Sequence, residues 1–182
     1  MQPATSDQQP ATSIALRALE PDDLEFLFAL ENDPDLWAAS DVLPAPISRH
    51  ALRDYLRHAA ASLTEAGQMR LIISNEQQQP VGTLDLYDYS ALHQRAGVGI
   101  TVLRSERRRG YAQAALAQLL PYARTALRLH QLYCTIAAAN EPSISLFEKT
   151  GFRKVGVRHD WLRDNTLTGW ANAVEMQLVL RK

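Results

Sequence analysis

The residues best suited to chemistry in this chain sit in one run that reads strand, basic turn, helix. Residues 97–103 are apolar and largely β-branched, residues 104–109 include four arginines, and from Gly110 apolar residues recur at helical spacing. Such a junction is an anion site. Unpaired amide N–H groups point out of the first helical turn, the macrodipole adds partial positive charge, and Gly110 lets the main chain come close to a phosphate. The spacing Arg107-x-x-Gly110-x-Ala112 lacks the Lys-Ser/Thr pair of a nucleoside triphosphate loop and the third glycine of a dinucleotide fingerprint. A second block, Asn140-x-x-Ser143 followed by Gly151-Phe152, comes after one further helix and strand.

The first block resembles the (Gln/Arg)-x-x-Gly-x-(Gly/Ala) pyrophosphate loop of the GNAT superfamily of N-acetyltransferases. The second resembles that superfamily's Asn-x-x-(Ser/Ala)…Gly-Phe segment, whose helix packs beside the pantetheine arm of the coenzyme. The likeness covers residues 14–180 and is nearest to the subgroup of spermidine and ribosomal-protein N-terminal acetyltransferases. It implies acetyl-CoA as cosubstrate. It also implies that main-chain groups of Ile100, Val102 and Leu103 pair with pantetheine, that Arg107, Arg108, Arg109, Gly110, Tyr111 and Ala112 hold the diphosphate, and that Asn140, Ser143 and Phe147 line the arm. The expected reaction is direct attack of a primary amine (a polyamine, a small-molecule amine or a protein N-terminus) on the thioester. A non-catalytic acyl-CoA sensor is the alternative, because two usual groups are missing.

Acetyl transfer needs an oxyanion donor, for which an amide around Val102 is the natural choice. It also needs a base, because an ammonium of pKa ~10.4 has no lone pair with which to attack. Many relatives place a glutamate early in the strand before the loop, where this chain has Ala96, Gly97, Val98 and Gly99. Asp85, Asp88, His93 and Glu31 remain, and Asp85 comes first because it alternates with Leu84 and Leu86 and so projects from the opposite face. Several acetyltransferases carry a proton-donating tyrosine where this chain has Phe147, which leaves Ser143, Ser145 or Tyr111 to donate through water, or an unaided thiolate. Cys134, mid-strand and without a Cys/His/Asp arrangement, reads as core rather than nucleophile. The five histidines show no ligand spacing, so no metal is expected.

Elements must position these groups. Alternating or β-branched runs predict strands at 14–19, 69–74, 81–89, 96–103, 131–137, 153–159 and 173–180. Helices are expected at 21–31, opened by Pro21, after the cap Ser48, from Gly110 onward with Pro121 kinking or dividing it, and at 142–150 with Gly151 as its stop. The order implies an α+β fold, a mixed and mostly antiparallel sheet of about seven strands with helices on both faces. This is the acyl-CoA N-acyltransferase fold that the resemblance calls for. The segment 32–47 would form one wall of the acceptor pocket by that resemblance. Acids there and nearby, Glu31, Asp33, Asp35, Asp41, Asp85 and Asp88, would suit a cationic acceptor. Trp161 and Trp170 flank the last loop and leave open whether they line that pocket or a homodimer contact.

Composition sets the outer bounds. A length of 182 residues with 46% hydrophobic and 21% charged content fits one domain, read as 14–182 behind a flexible tail at 1–13. Net charge −1 disfavours nucleic acid and membranes as partners, including a nucleic-acid role for the 104–109 turn. A single cysteine excludes an internal disulfide, no apolar run reaches the ~20 residues of a bilayer span, and the first 13 residues do not read as a signal peptide. The protein is therefore expected in the cytoplasm.

Overall fold

Ile72 and Ile73 are neighbours in sequence and both fully buried, so the sheet that contains them is covered on two sides. The structure is a computed structural model and describes residues 12–37, 45–59, 61–164 and 168–180. Asp41 and most of the expected N-terminal tail lie outside the described residues.

Strand β1 (Ala15–Arg17) leads through a 3-10 turn at Pro21–Asp23 into α1 (Leu24–Glu31), α2 (Pro34–Trp37), α3 (Arg49–His58) and α4 (Leu63–Ala66). A meander follows of β2 (Met69–Ser74), β3 (Pro80–Ser90) and β4 (Arg95–Val102). Then come α5 (Tyr111–Thr125), β5 (Gln131–Ala137), α6 (Glu141–Lys149), β6 (Arg153–Arg163) and β7 (Trp170–Val179). The seven strands lie in the order β1-β2-β3-β4-β5-β7-β6. Among the described residues only β4 and β5 pair in parallel; the other neighbours are antiparallel.

Period-two alternation sends one set of side chains to each face. Leu84, Leu86, Ala96, Val98, Leu132, Cys134 and Met176 meet Ala115, Leu116, Leu119 and Ala123 of α5 and Ile144 and Phe147 of α6 in one core. On the other face Ile72 packs with Leu27 of α1 and Leu52 of α3. Ser48 caps α3 as expected, its Oγ accepting the Ala51 amide at 3.1 Å.

Two expectations change. Of the two outcomes expected at Pro121, a kinked or a divided helix, division does not occur: α5 runs unbroken to Thr125. Proline deletes a single amide donor, and the buried stripe on either side of it outweighs that loss. Strands β6 and β7 reach to Arg163 and back to Trp170, beyond the expected 159 and 173. β6 is an exposed edge strand with two register irregularities, so burial imposes little apolar alternation on its sequence.

The feature that matters for function lies mid-sheet. β4 and β5 are in register only at Arg95↔Gln131, Ala96↔Leu132 and Gly97↔Tyr133. Beyond that point β4 stays paired to β3 as far as Val102, and β5 to β7 as far as Ala137. The two halves of the sheet therefore part into a wedge with its vertex at Gly97 and Tyr133.

Candidate active site

At the open end of the wedge, β4 passes through a 3-10 turn at Arg104–Glu106 to Gly110, the N-cap of α5, with φ +82°. The first helical bond runs from the Ala114 amide to the Gly110 carbonyl, and no side chain caps the turn. The amides of Tyr111, Ala112 and Gln113 thus have no partner within the helix, and the loop before them is exposed, not buried. Arg108 also adopts positive φ, +64°, so left-handed residues bracket Arg109 and concentrate donors on one side. Thr12, which no sequence motif points to, contributes as well: its hydroxyl donates to the Arg109 carbonyl at 2.7 Å. A Cβ on Gly110 would fall 2.7 Å from the Thr12 hydroxyl oxygen.

The three arginines are not equivalent. Arg107 folds back, Nε donating to the Val102 carbonyl at 3.1 Å, and Arg109 pairs with Glu106 at 3.1 Å. Arg108 is exposed on its left-handed residue. Because β4 and β5 run parallel, their C-terminal ends share an edge of the sheet, which brings Asn140 to the same end as the anion loop. Asn140 caps α6, accepting the Ser143 amide at 3.2 Å, and both side chains are half-buried in the first turn. Phe147 is not with them. It is buried in the core, edge-on to Phe152 at 4.9 Å, on the inward side of α6 that it shares with Ile144.

Which amides face the wedge follows from register. The Leu103 amide donates to the Val81 carbonyl at 2.9 Å, so in the β3–β4 ladder Gly97, Gly99 and Thr101 also bond toward β3. The Val98 amide closes the last rung to β5, as the Gly97↔Tyr133 pair requires, so the Val98 carbonyl and the amides and carbonyls of Ile100 and Val102 are what face the wedge. Ile100, Val102 and Leu103 are all half-buried.

The face covered by α1 and α3 carries the ionisable groups. Arg70, Asp85 and Gly99 lie in one cross-strand row. Arg70 forks onto Asp85, Nε to Oδ1 at 2.6 Å and Nη2 to Oδ2 at 3.3 Å, and its Nη1 reaches Glu31 at 2.5 Å. Its guanidinium carbon stands 5.8 Å from the Tyr55 ring. Desolvation pushes the Asp85 carboxyl above the ordinary aspartate range, Arg70 pulls it back, and Glu31 adds to the rise. Burial likewise raises the Tyr55 phenol, while the carboxylates hold Arg70 firmly protonated despite its own desolvation.

Beside this cluster Gly97 and Gly99 form the floor of a shallow trough, roofed by the Tyr87 ring. A Cβ on Gly97 would fall 2.2 Å from Tyr87 Cε2 and 2.5 Å from Cζ, and one on Gly99 3.8 Å from Cε1. Tyr133 meets Tyr87 edge-on at 6.1 Å and donates its hydroxyl to Asp88 at 3.4 Å. Burial and Asp88 together raise the Tyr133 phenol.

The remaining candidates stand apart. Asp88 is exposed on a left-handed residue, and His93 is exposed in the turn after β3. Asp33 follows α1, and Asp35 lies in α2. Trp161 and Trp170 lie on β6 and β7, about half exposed and stacked under Arg158 and Arg163 at 4.4 Å, with β4 and β5 between them and Asp85. Burial pushes the Cys134 thiol up to about 12, which makes it a poor nucleophile. Among the described residues no three His, Cys, Asp or Glu side chains gather as a metal site, and no helix is long and apolar enough to cross a membrane.

A sequence model of the acetyltransferase (GNAT) domain matches residues 13–153. The chain is 25% identical over 145 residues to the spermidine N(1)-acetyltransferase of Vibrio cholerae serotype O1, covering 80% of this chain and 82% of that protein. The Vibrio cholerae spermidine N-acetyltransferase solved with CoA and spermine superposes with a TM-score of 0.83 at 23% identity, covering 92% of this chain and 95% of that one. A dodecameric structure of the Vibrio cholerae spermidine N-acetyltransferase superposes with a TM-score of 0.77 at 24% identity, covering 92% and 94%.

Proposed function

The chain belongs to the acetyltransferase (GNAT) family, and from that membership we propose that it moves an acetyl group from acetyl-CoA to a primary amine at the vertex of the β4–β5 wedge. The observation that carries this reading is the wedge itself. It opens between the amide cradle of α5 and the N-terminus of α6, and closes at a trough beside an aspartate.

The residues present fit the donor. The amides of Tyr111 and Ala112 hold the diphosphate, with Gly110 leaving room and Arg108 adding charge. The outward groups of Val98, Ile100 and Val102 pair with the pantetheine amides as an added strand would, and Asn140 and Ser143 border the other side. Val102 sits at the loop end with its carbonyl engaged by Arg107. Gly97 lies five residues from it, about 16 Å along a strand. The oxyanion donor therefore moves from Val102 to the Ile100 amide, one outward rung nearer the vertex.

Asp85 acts as base. It lies opposite Gly99, whose missing side chain leaves its edge of the trough open, and desolvation, which raises its carboxyl, makes it a stronger base than an exposed aspartate. Glu31 and Asp85 favour a cationic acceptor, such as a polyamine, another small amine or a protein N-terminus. Spermidine is the acceptor that the relatives' names carry. The half-exposed Val155, Val157 and Trp161 along β6 support assembly of this chain with itself, and we place the reaction in the cytoplasm, where acetyl-CoA is met and a thiol stays reduced.

A thiol-release assay with acetyl-CoA and an amine panel tests the reading. Release above buffer with at least one amine is expected, with mass spectrometry showing the acetylated product. CoA binding without release from any amine would make the protein a sensor instead.

A further inference from the structure

We infer that Tyr87 is the catalytic acid of this site, its phenol standing where the wedge closes and giving its proton to the departing thiolate. The inference rests on the acetyltransferase reading above and adds a residue to it.

Tyr87 is opposite Gly97 in the β3–β4 register, and Gly97 is the last β4 residue paired to β5. Its ring does not lean away toward solvent but lies across both glycines. The atom closest to a Cβ on Gly97 would be Cε2 and the next Cζ, the carbon that bears the hydroxyl. The hydroxyl is thus carried over the point where a donor lying in the wedge must end. Any side chain at 97 would evict the ring, so Gly97 and Tyr87 are complementary in size. Tyr133 holds the ring from the β5 side, edge-on at 6.1 Å with the planes at 79°. The same pair accounts for two departures in the sequence: the strand lacks an acid at Gly97 because a phenol fills its space, and Phe147 needs no hydroxyl because one arrives from β3.

The protons balance. Asp85 takes one proton from the ammonium and passes it to solvent, freeing the nitrogen to form the C–N bond. When the C–S bond breaks, sulfur receives the Tyr87 proton, and the second proton leaving nitrogen restores the phenol. The products are the N-acetyl amine and CoA thiol, with one net proton released.

Tyr87→Phe keeps the ring on both glycines and against Tyr133 and removes only the hydroxyl. With acetyl-CoA, kcat is expected to fall on the order of 100-fold. With the acetyl thioester of a weakly basic aryl thiol, which leaves without a proton, the variant should approach the wild type. An equilibrium measurement reads the same contact without turnover. By calorimetry the variant should bind CoA about fivefold more weakly than the wild type, yet bind desulfo-CoA equally well. Wild-type turnover by the variant, an equal loss with both thioesters, or an equal loss of CoA and desulfo-CoA binding would each overturn the assignment. If the wild type itself binds no CoA, it is the acetyltransferase reading that fails, and this inference with it.

Discussion

Asp85 shows how far a single residue could be read from sequence. Alternation with Leu84 and Leu86 placed it on the right face, and those leucines are indeed buried on the other. What alternation could not show is Arg70, fifteen positions earlier, forked onto Asp85 and Glu31. Ion pairs across strands leave no periodic signal. Asp85→Asn should lower kcat on the order of 100-fold while leaving CoA affinity unchanged by calorimetry. Arg70 opposes the desolvation that raises the Asp85 carboxyl, so Arg70→Met lets it rise further. The base must be ionised to act, and the acid limb of the kcat/KM profile should therefore move to higher pH in that variant. Phe147 makes the opposite point. Its place in the motif was legible, but its burial against Phe152 was not. Phe147→Tyr puts a hydroxyl into the core and should cost about 1–2 kcal/mol in chemical denaturation, with turnover retained.

At the scale of elements, turns and caps were the most readable parts. Bounds for β2 and β5 match the expected 69–74 and 131–137, because both are short and bounded by turn residues, and β5 is also alternately buried. The short helices α2 and α4 carry too few residues to show a period. The entry to α1 is fixed by Asp23, which Arg17 grips with both terminal nitrogens at 2.7 Å and which also accepts the Glu20 amide at 2.8 Å. Burial works to raise this carboxyl, but the Arg17 and Glu20 bonds outweigh it and hold it below the ordinary range. A lowered acid contributes stability above its unfolded value near 3.9, and loses it as pH falls through the lower folded value. Asp23→Asn should therefore cost about 2 kcal/mol at neutral pH, less than a fully buried pair because Arg17 is partly exposed, and the gap in thermal midpoint should close as the pH falls below the ordinary aspartate range. Gly110→Ala meets both a left-handed backbone and the Thr12 hydroxyl. With about 1–2 kcal/mol of strain in the cradle, CoA affinity should drop roughly tenfold by calorimetry.

At the scale of the whole molecule, the sheet divides its labour by face and by half. One face is core under α5 and α6, and the other holds the ionised row beneath α1 and α3. The fold class was legible because the order of strands and helices limits how such a sheet can wind. The parting of β4 from β5 was not, since nothing in either strand's composition says where pairing stops. That parting also has a mechanical side. Main-chain continuity across the centre of the sheet rests on three residue pairs, and the half of each strand nearest the substrate keeps an unzipped seam. A donor laid along the seam supplies the missing rungs. Amide hydrogen exchange at Ile100 and Val102 should therefore slow when CoA is added, while the β2–β3 ladder stays unchanged, and the thermal midpoint should climb with CoA concentration. The protein is a stiffer object when its cosubstrate is plentiful than when it is scarce, so the metabolite it consumes also sets how long it withstands proteases.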